Sequence, residues 1–160
     1  MDEVVQQWEA AAPDVETGHL GVVARIHRLA NRMHVRADAV LARDGLTQGE
    51  FDVLSALRRS GAPDGLTPTA LAASMLVSSG GMTKRLAALE RGGWIARERS
   101  ARDGRSVGVV LTESGRERLD ALLPRFFAAE AEALEALDDE ERVRLAELLR
   151  TLSVHQELLR

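Results

Sequence analysis

From His19 to Arg43 the apolar residues Val23, Ile26, Leu29, Ala30, Met33, Ala37, Val40 and Leu41 return every three or four positions, with arginines between them. That period predicts a long amphipathic helix. Thr47 and Glu50 stand as a capping-box pair ahead of Phe51, Leu54 and Leu57, so a second helix begins there and stops at Gly61. After a turn containing Pro63 and Asp64, Thr67 and Pro68 supply the N-cap and first residue of a short helix carrying Leu71 and Met75. Ser78 and Ser79 open another, with Met82, Leu86 and Leu89 on one face and Gly92 and Gly93 at its end. Two short helices around a turn of three or four residues have helix-turn-helix spacing.

The pattern then changes period. Trp94 to Arg99 and Ser106 to Leu111 read as two strands, with Val107, Val109 and Leu111 alternating and Asp103 and Gly104 in the connection. Thr112 caps a further helical region with Leu119, Leu122, Leu123, Phe126, Phe127, Leu134 and Leu137, broken or kinked by Pro124. Asp138 and Glu141 form a second capping-box pair, ahead of Val143, Leu145, Leu148, Leu149 and Leu152. The expected fold is mainly α with a small β-hairpin wing, a winged helix-turn-helix in one domain. Residues 45–111 would form the DNA-binding lobe. The long helices in 1–44 and 112–160 carry more apolar surface than one small core can cover, so they are expected to pair with a second copy as a homodimer.

Composition narrows the function. The 160 residues contain no cysteine, which removes disulfide frameworks, thiolate metal sites and cysteine nucleophiles together. No apolar run approaches the roughly 20 residues of a membrane span, and Asp2 and Glu3 stand where a signal peptide would be basic. A cytoplasmic protein with no membrane partner is expected. No Gly-x-Ser-x-Gly elbow, phosphate-binding Gly-Lys loop or His-Glu-x-x-His pair occurs, so no enzyme class is indicated and no cofactor is expected. His27 and His34 lie about 10.5 Å apart along one helix, too far to share a metal unaided.

The net charge of −4 conceals a division along the chain. Residues 1–65 hold 7 basic and 10 acidic groups, residues 66–111 hold 7 and 3, and residues 112–160 hold 7 and 12. Every charge of the basic middle lies between Lys84 and Arg105, on one helix and the hairpin after it, a placement suited to double-stranded DNA. Ser78, Ser79 and Gly80 would let the helix approach closely, Thr83 would contact a base, and Lys84 would read guanine or pair a phosphate. Arg97, Arg99 and Arg102 would meet phosphates. Arg105 would enter the minor groove or hold a phosphate, oriented by Asp103. The plainer alternatives are that the serines only cap and that the hairpin is a solvated charged turn. A dimeric protein-interaction module that keeps this fold without binding DNA is the rival function.

Leu66-Thr67-Pro68 through Leu71, the helix start Ser78-Ser79-Gly80-Gly81-Met82-Thr83-Lys84-Arg85, the hairpin Asp103-Gly104-Arg105 and Leu111-Thr112-Glu113-Ser114-Gly115 together resemble the MarR (multiple antibiotic resistance regulator) family over residues 19–158. The resemblance implies a dimer with interlocking terminal helices whose two lobes read a pseudo-palindromic operator, as a transcription regulator and commonly a repressor. The opening Val5-Gln6-Gln7-Trp8 and Pro13-Asp14-Val15 further resemble the urate-responsive, PecS-like branch. That branch implies an effector pocket for urate or a small carboxylate, with Trp8, Asp52 and Arg85 at its matching positions and Arg97 as a fourth. Arg85 would then serve both DNA and effector.

Overall fold

The computed structural model describes residues 2–99 and 107–158, with side chains described as far as residue 155. Its helices are α1 (Asp2–Ala11), α2 (Leu20–Leu41), α3 (Gln48–Ser60), α4 (Pro68–Ser74), α5 (Ser79–Arg91), α6 (Glu113–Glu132) and α7 (Asp139–Leu158), with a single 3-10 turn at Ala42–Asp44. The strands β1 (Ile95–Arg99) and β2 (Val107–Leu111) pair antiparallel, Ile95 opposite Leu111 and Arg99 opposite Val107. Leu66 joins them through two backbone bonds to Val109, of 3.1 and 2.9 Å. The architecture is a winged helix-turn-helix framed by long helices. Among the described residues no helix is long and apolar enough to cross a membrane.

The helix boundaries follow from local chemistry. Thr47 Oγ1 accepts from the Glu50 amide while Glu50 Oε2 accepts from the Thr47 amide, and Asp138 and Glu141 repeat the reciprocal pair before α7. Single caps from Thr67, Ser78 and Thr112 start α4, α5 and α6 by accepting from the amides of Ala70, Gly81 and Gly115. Each satisfies an amide that its helix leaves without a partner, an arrangement typically contributing about 1 kcal/mol.

Two elements depart from the pattern reading. The amino-terminal segment forms α1, which the apolar spacing does not announce. At Pro124, where the pattern allows a break, α6 is unbroken from Glu113 to Glu132. Proline removes one bond of the helical ladder there, but Leu119, Leu122 and Phe126 are buried on either side of it. Packing of that apolar face outweighs the lost bond.

The core joins the end of α2, through Leu41, to α3, α4, α5, the hairpin and α6. Phe51, Leu54, Leu71, Met82, Leu86, Trp94, Val109 and Leu122 meet there, and the Phe51 and Phe126 rings lie 4.1 Å apart between centroids. Ion pairs reinforce the attachment of α6, Arg58 to Asp120 at 2.9 Å and Arg125 to Asp44 at 3.0 Å. The Asp120 carboxylate, bonded to Arg58, raises the pKa of that guanidinium above its ordinary value.

The outer helices are the contrast. No residue of α1 is buried, Leu41 alone is buried in α2, and every described side chain of α7 is exposed. Val22, Val23, Ile26 and Leu29 on α2, and Val143, Leu148, Leu149 and Leu152 on α7, present apolar surface to solvent in the single chain.

The end of α5 is tied closely to the start of α6. Thr112 Oγ1 donates to the Gly93 carbonyl at 2.7 Å, Arg118 donates to the Gly92 carbonyl at 3.1 Å, and the Arg118 guanidinium stacks 3.7 Å over the Trp94 ring. Gly115 makes the junction possible, since a Cβ there would stand 2.0 Å from the Trp94 carbonyl oxygen.

Candidate nucleic-acid interface

Helix α5 turns Met82, Leu86 and Leu89 into the core, so the opposite side of the same helix faces outward. Ser78, Ser79, Gly80, Thr83 and Lys84 are all exposed at its amino end. Thr83 Oγ1 donates to the Ser79 carbonyl at 2.8 Å, which fixes its rotamer and points its methyl group away from that bond. Gly80 adds no side chain, and a Cβ there would meet open space. The result is a low, polar, amide-rich helix start flanked by one ammonium group. Such a surface fits the major groove, where the positive end of the helix dipole also attracts phosphate.

The hairpin lies directly after this helix. Arg99 is exposed at the end of β1. Arg102, Asp103 and Arg105 lie outside the described residues. Arg97, on β1, pairs with Glu90 of α5 at 3.4 Å. This bond holds the hairpin to the helix whose amino end carries the exposed polar face.

Arg85 is placed differently from its neighbours. It is half-buried, and its guanidinium folds back over the first turn of α3 to donate to the Gly49 carbonyl at 3.4 Å. It lines a cleft of about 530 Å³ between α3 and the helix-turn-helix, together with Asp52, Ala56, Arg59, Leu66 and Met75. Asp52 accepts from Gln48 Nε2 at 2.9 Å. Among the described residues neither Arg59 nor Asp52 forms an ion pair, so the cleft holds two guanidinium groups and one carboxylate beside an apolar wall.

The four residues expected to line an effector pocket are therefore only partly gathered. Asp52 and Arg85 share the cleft, whereas Trp8 and Arg97 do not line it. Strand alternation and the pull of Glu90 take Arg97 elsewhere. Trp8 rides on α1, which touches the chain mainly through α2, and it is 54% exposed rather than packed. Arg59 is not among the expected pocket residues although the sequence carries its signal, since Asp52, Ala56 and Arg59 fall on one helical face.

A second, more apolar cavity of about 420 Å³ lies between α2, the start of α3 and the end of α6, lined by Met33, His34, Ala37, Phe126 and Leu134. His34 Nδ1 sits 2.8 Å from the Ala30 carbonyl oxygen.

The sequence profile of the MarR family matches residues 44–106, a range that contains α3, α4, α5 and β1. The chain is 29% identical over 155 residues to the HTH-type transcriptional regulator PecS of Dickeya dadantii (strain 3937), covering 97% of this chain and 93% of that one. It is 31% identical over 134 residues to an uncharacterised HTH-type transcriptional regulator of Bacillus cereus (strain ATCC 10987), covering 83% and 87%. A mutant E. coli MarR solved in complex with operator DNA superposes with a TM-score of 0.68 at 25% identity, covering 91% of this chain and 96% of that one.

Proposed function

The chain belongs to the MarR family of DNA-binding transcription regulators, and from that premise we propose that it acts as a homodimeric repressor on a pseudo-palindromic operator and releases it when a small anion enters the Asp52–Arg85 cleft. The observation that carries the reading is the start of α5. Ser79, Gly80, Thr83 and Lys84 stand exposed at a helix amino terminus within the basic segment of an otherwise acidic chain.

Dimerisation is supported by the apolar residues that α2 and α7 leave uncovered. A two-fold axis through these helices would set two copies of α5 toward half-sites about 34 Å apart, one turn of DNA. The hairpin, with Arg99, would flank each half-site along the phosphates.

The effector part rests on Arg85 belonging to α5 while facing the cleft. An anion that takes hold of this guanidinium acts directly on the helix carrying the DNA-facing residues. It releases DNA only if it binds the DNA-incompetent arrangement more tightly. The Asp52 carboxylate selects among anions, favouring one that also offers an N–H or O–H donor, as urate or a hydroxy acid does.

A mobility shift on DNA from the protein's own promoter, across a salt series, tests the reading. The wild type is expected to bind with steep salt dependence. Lys84→Ala should lower the slope of log affinity against log salt by about 2 per dimer, one phosphate contact per protomer. An unchanged slope and affinity would take α5 off the phosphate backbone. Urate or a small carboxylate should weaken the wild-type shift but not that of Arg85→Ala.

A further inference from the structure

Gly49 is the second residue of α3, a position where glycine is a poor choice. It costs helix stability relative to alanine, and its φ is not among the positive values that would call for it. What it provides is space for Arg85. A Cβ at this position would stand 2.6 Å from Arg85 Cζ, 2.7 Å from Nε and 2.8 Å from Nη2. The guanidinium lies flat against the bare backbone of α3.

The seat is a loose one. Its one hydrogen bond among the described residues, to the Gly49 carbonyl, is 3.4 Å long, beyond the usual range for an N–H donor. It also places a cation beside the amino end of a helix, where the dipole is unfavourable to positive charge. Asp52, one turn further on, is engaged by Gln48 and gives Arg85 no ion pair. Arg85 is thus held by shape more than by charge, next to a cleft where an anion would be a stronger partner.

We infer that Gly49 is a positioning residue that seats Arg85 against α3 in the DNA-gripping arrangement, and that an anion in the cleft acts by drawing Arg85 off this seat. The inference rests on the effector reading above and adds the alternative partner from which the anion must win the arginine. Gly49→Ala would then imitate the effector, because the new methyl group expels the far end of a flexible side chain while leaving the α3 backbone in place.

The test is a double-mutant cycle on operator affinity with no anion added, in low-salt buffer that keeps weak variants measurable. Gly49→Ala should lower affinity about tenfold, within the usual span of allosteric coupling, with a thermal midpoint no lower than the wild type. In an Arg85→Ala background the same change should have no further effect. Wild-type affinity in Gly49→Ala, an equal loss in both backgrounds, or a fallen midpoint would each overturn the inference. A wild type that fails to bind its promoter DNA would instead overturn the proposed function on which it rests.

Discussion

Leu148→Glu combined with Leu152→Glu is expected to give a folded monomer at concentrations where the proposed wild-type dimer forms, with operator affinity lowered on the order of 100-fold or more. Leu148 and Leu152 are 58% and 47% exposed in the single chain, one helical turn apart on α7. Neither contributes to the core of its own lobe. If a second copy covers them, four leucines per dimer complete a burial worth about 1.5 to 3 kcal/mol each when whole, of which roughly half remains to be gained. The expected loss is therefore about 3 to 6 kcal/mol before the cost of burying glutamate is added. Sedimentation velocity measures the association, and the mobility shift measures its consequence, since two unlinked lobes no longer bind as one unit. A variant that stayed dimeric would place the interface elsewhere.

Gly115→Ala is expected to lose about 3 kcal/mol of stability, near the upper end for an overpacked site, and about 10 °C in thermal midpoint. The added carbon meets a backbone carbonyl at 2.0 Å rather than a side chain that could swing aside. Helix α6 would have to move off Trp94. That shift strains the Thr112 bond to Gly93 and the Arg118 stack on Trp94 together. Thermal melts compared at equal protein concentration measure it, because the midpoint of a dimer depends on concentration. A midpoint within a degree or two of wild type would mean that the junction yields easily.

What could be read from the chain and what could not divides along the range of the interactions. Thr47 with Glu50, Asp138 with Glu141, and the caps at Thr67, Ser78 and Thr112 are contacts three residues long, so sequence spacing displays them and the structure contains each one. The exposure of Ser79, Thr83 and Lys84 follows from the period of Met82, Leu86 and Leu89 on the same helix. The cleft is another matter. Its makeup depends on how α3 lies against α5, and on whether Arg97 finds Glu90 or empty space, which are choices made between distant segments. Arg85 reaching across 36 positions to Gly49 leaves no periodic trace. Pro124 shows the converse, a local signal for a break that packing on both sides outweighs, since α6 runs unbroken through it.

Lys84 is the one lysine in a chain with 21 basic residues, and it stands exposed in the amino-terminal half of α5, on the face proposed to meet DNA. Apart from the α-amino group, the protein offers amine-selective reagents a single target. Acylation there would remove a positive charge from the face proposed to meet DNA while leaving every arginine untouched. A lysine-specific protease has one bond to cut, in the amino-terminal half of that helix. Its chemistry makes the molecule a reporter on its own binding surface, readable by mass alone.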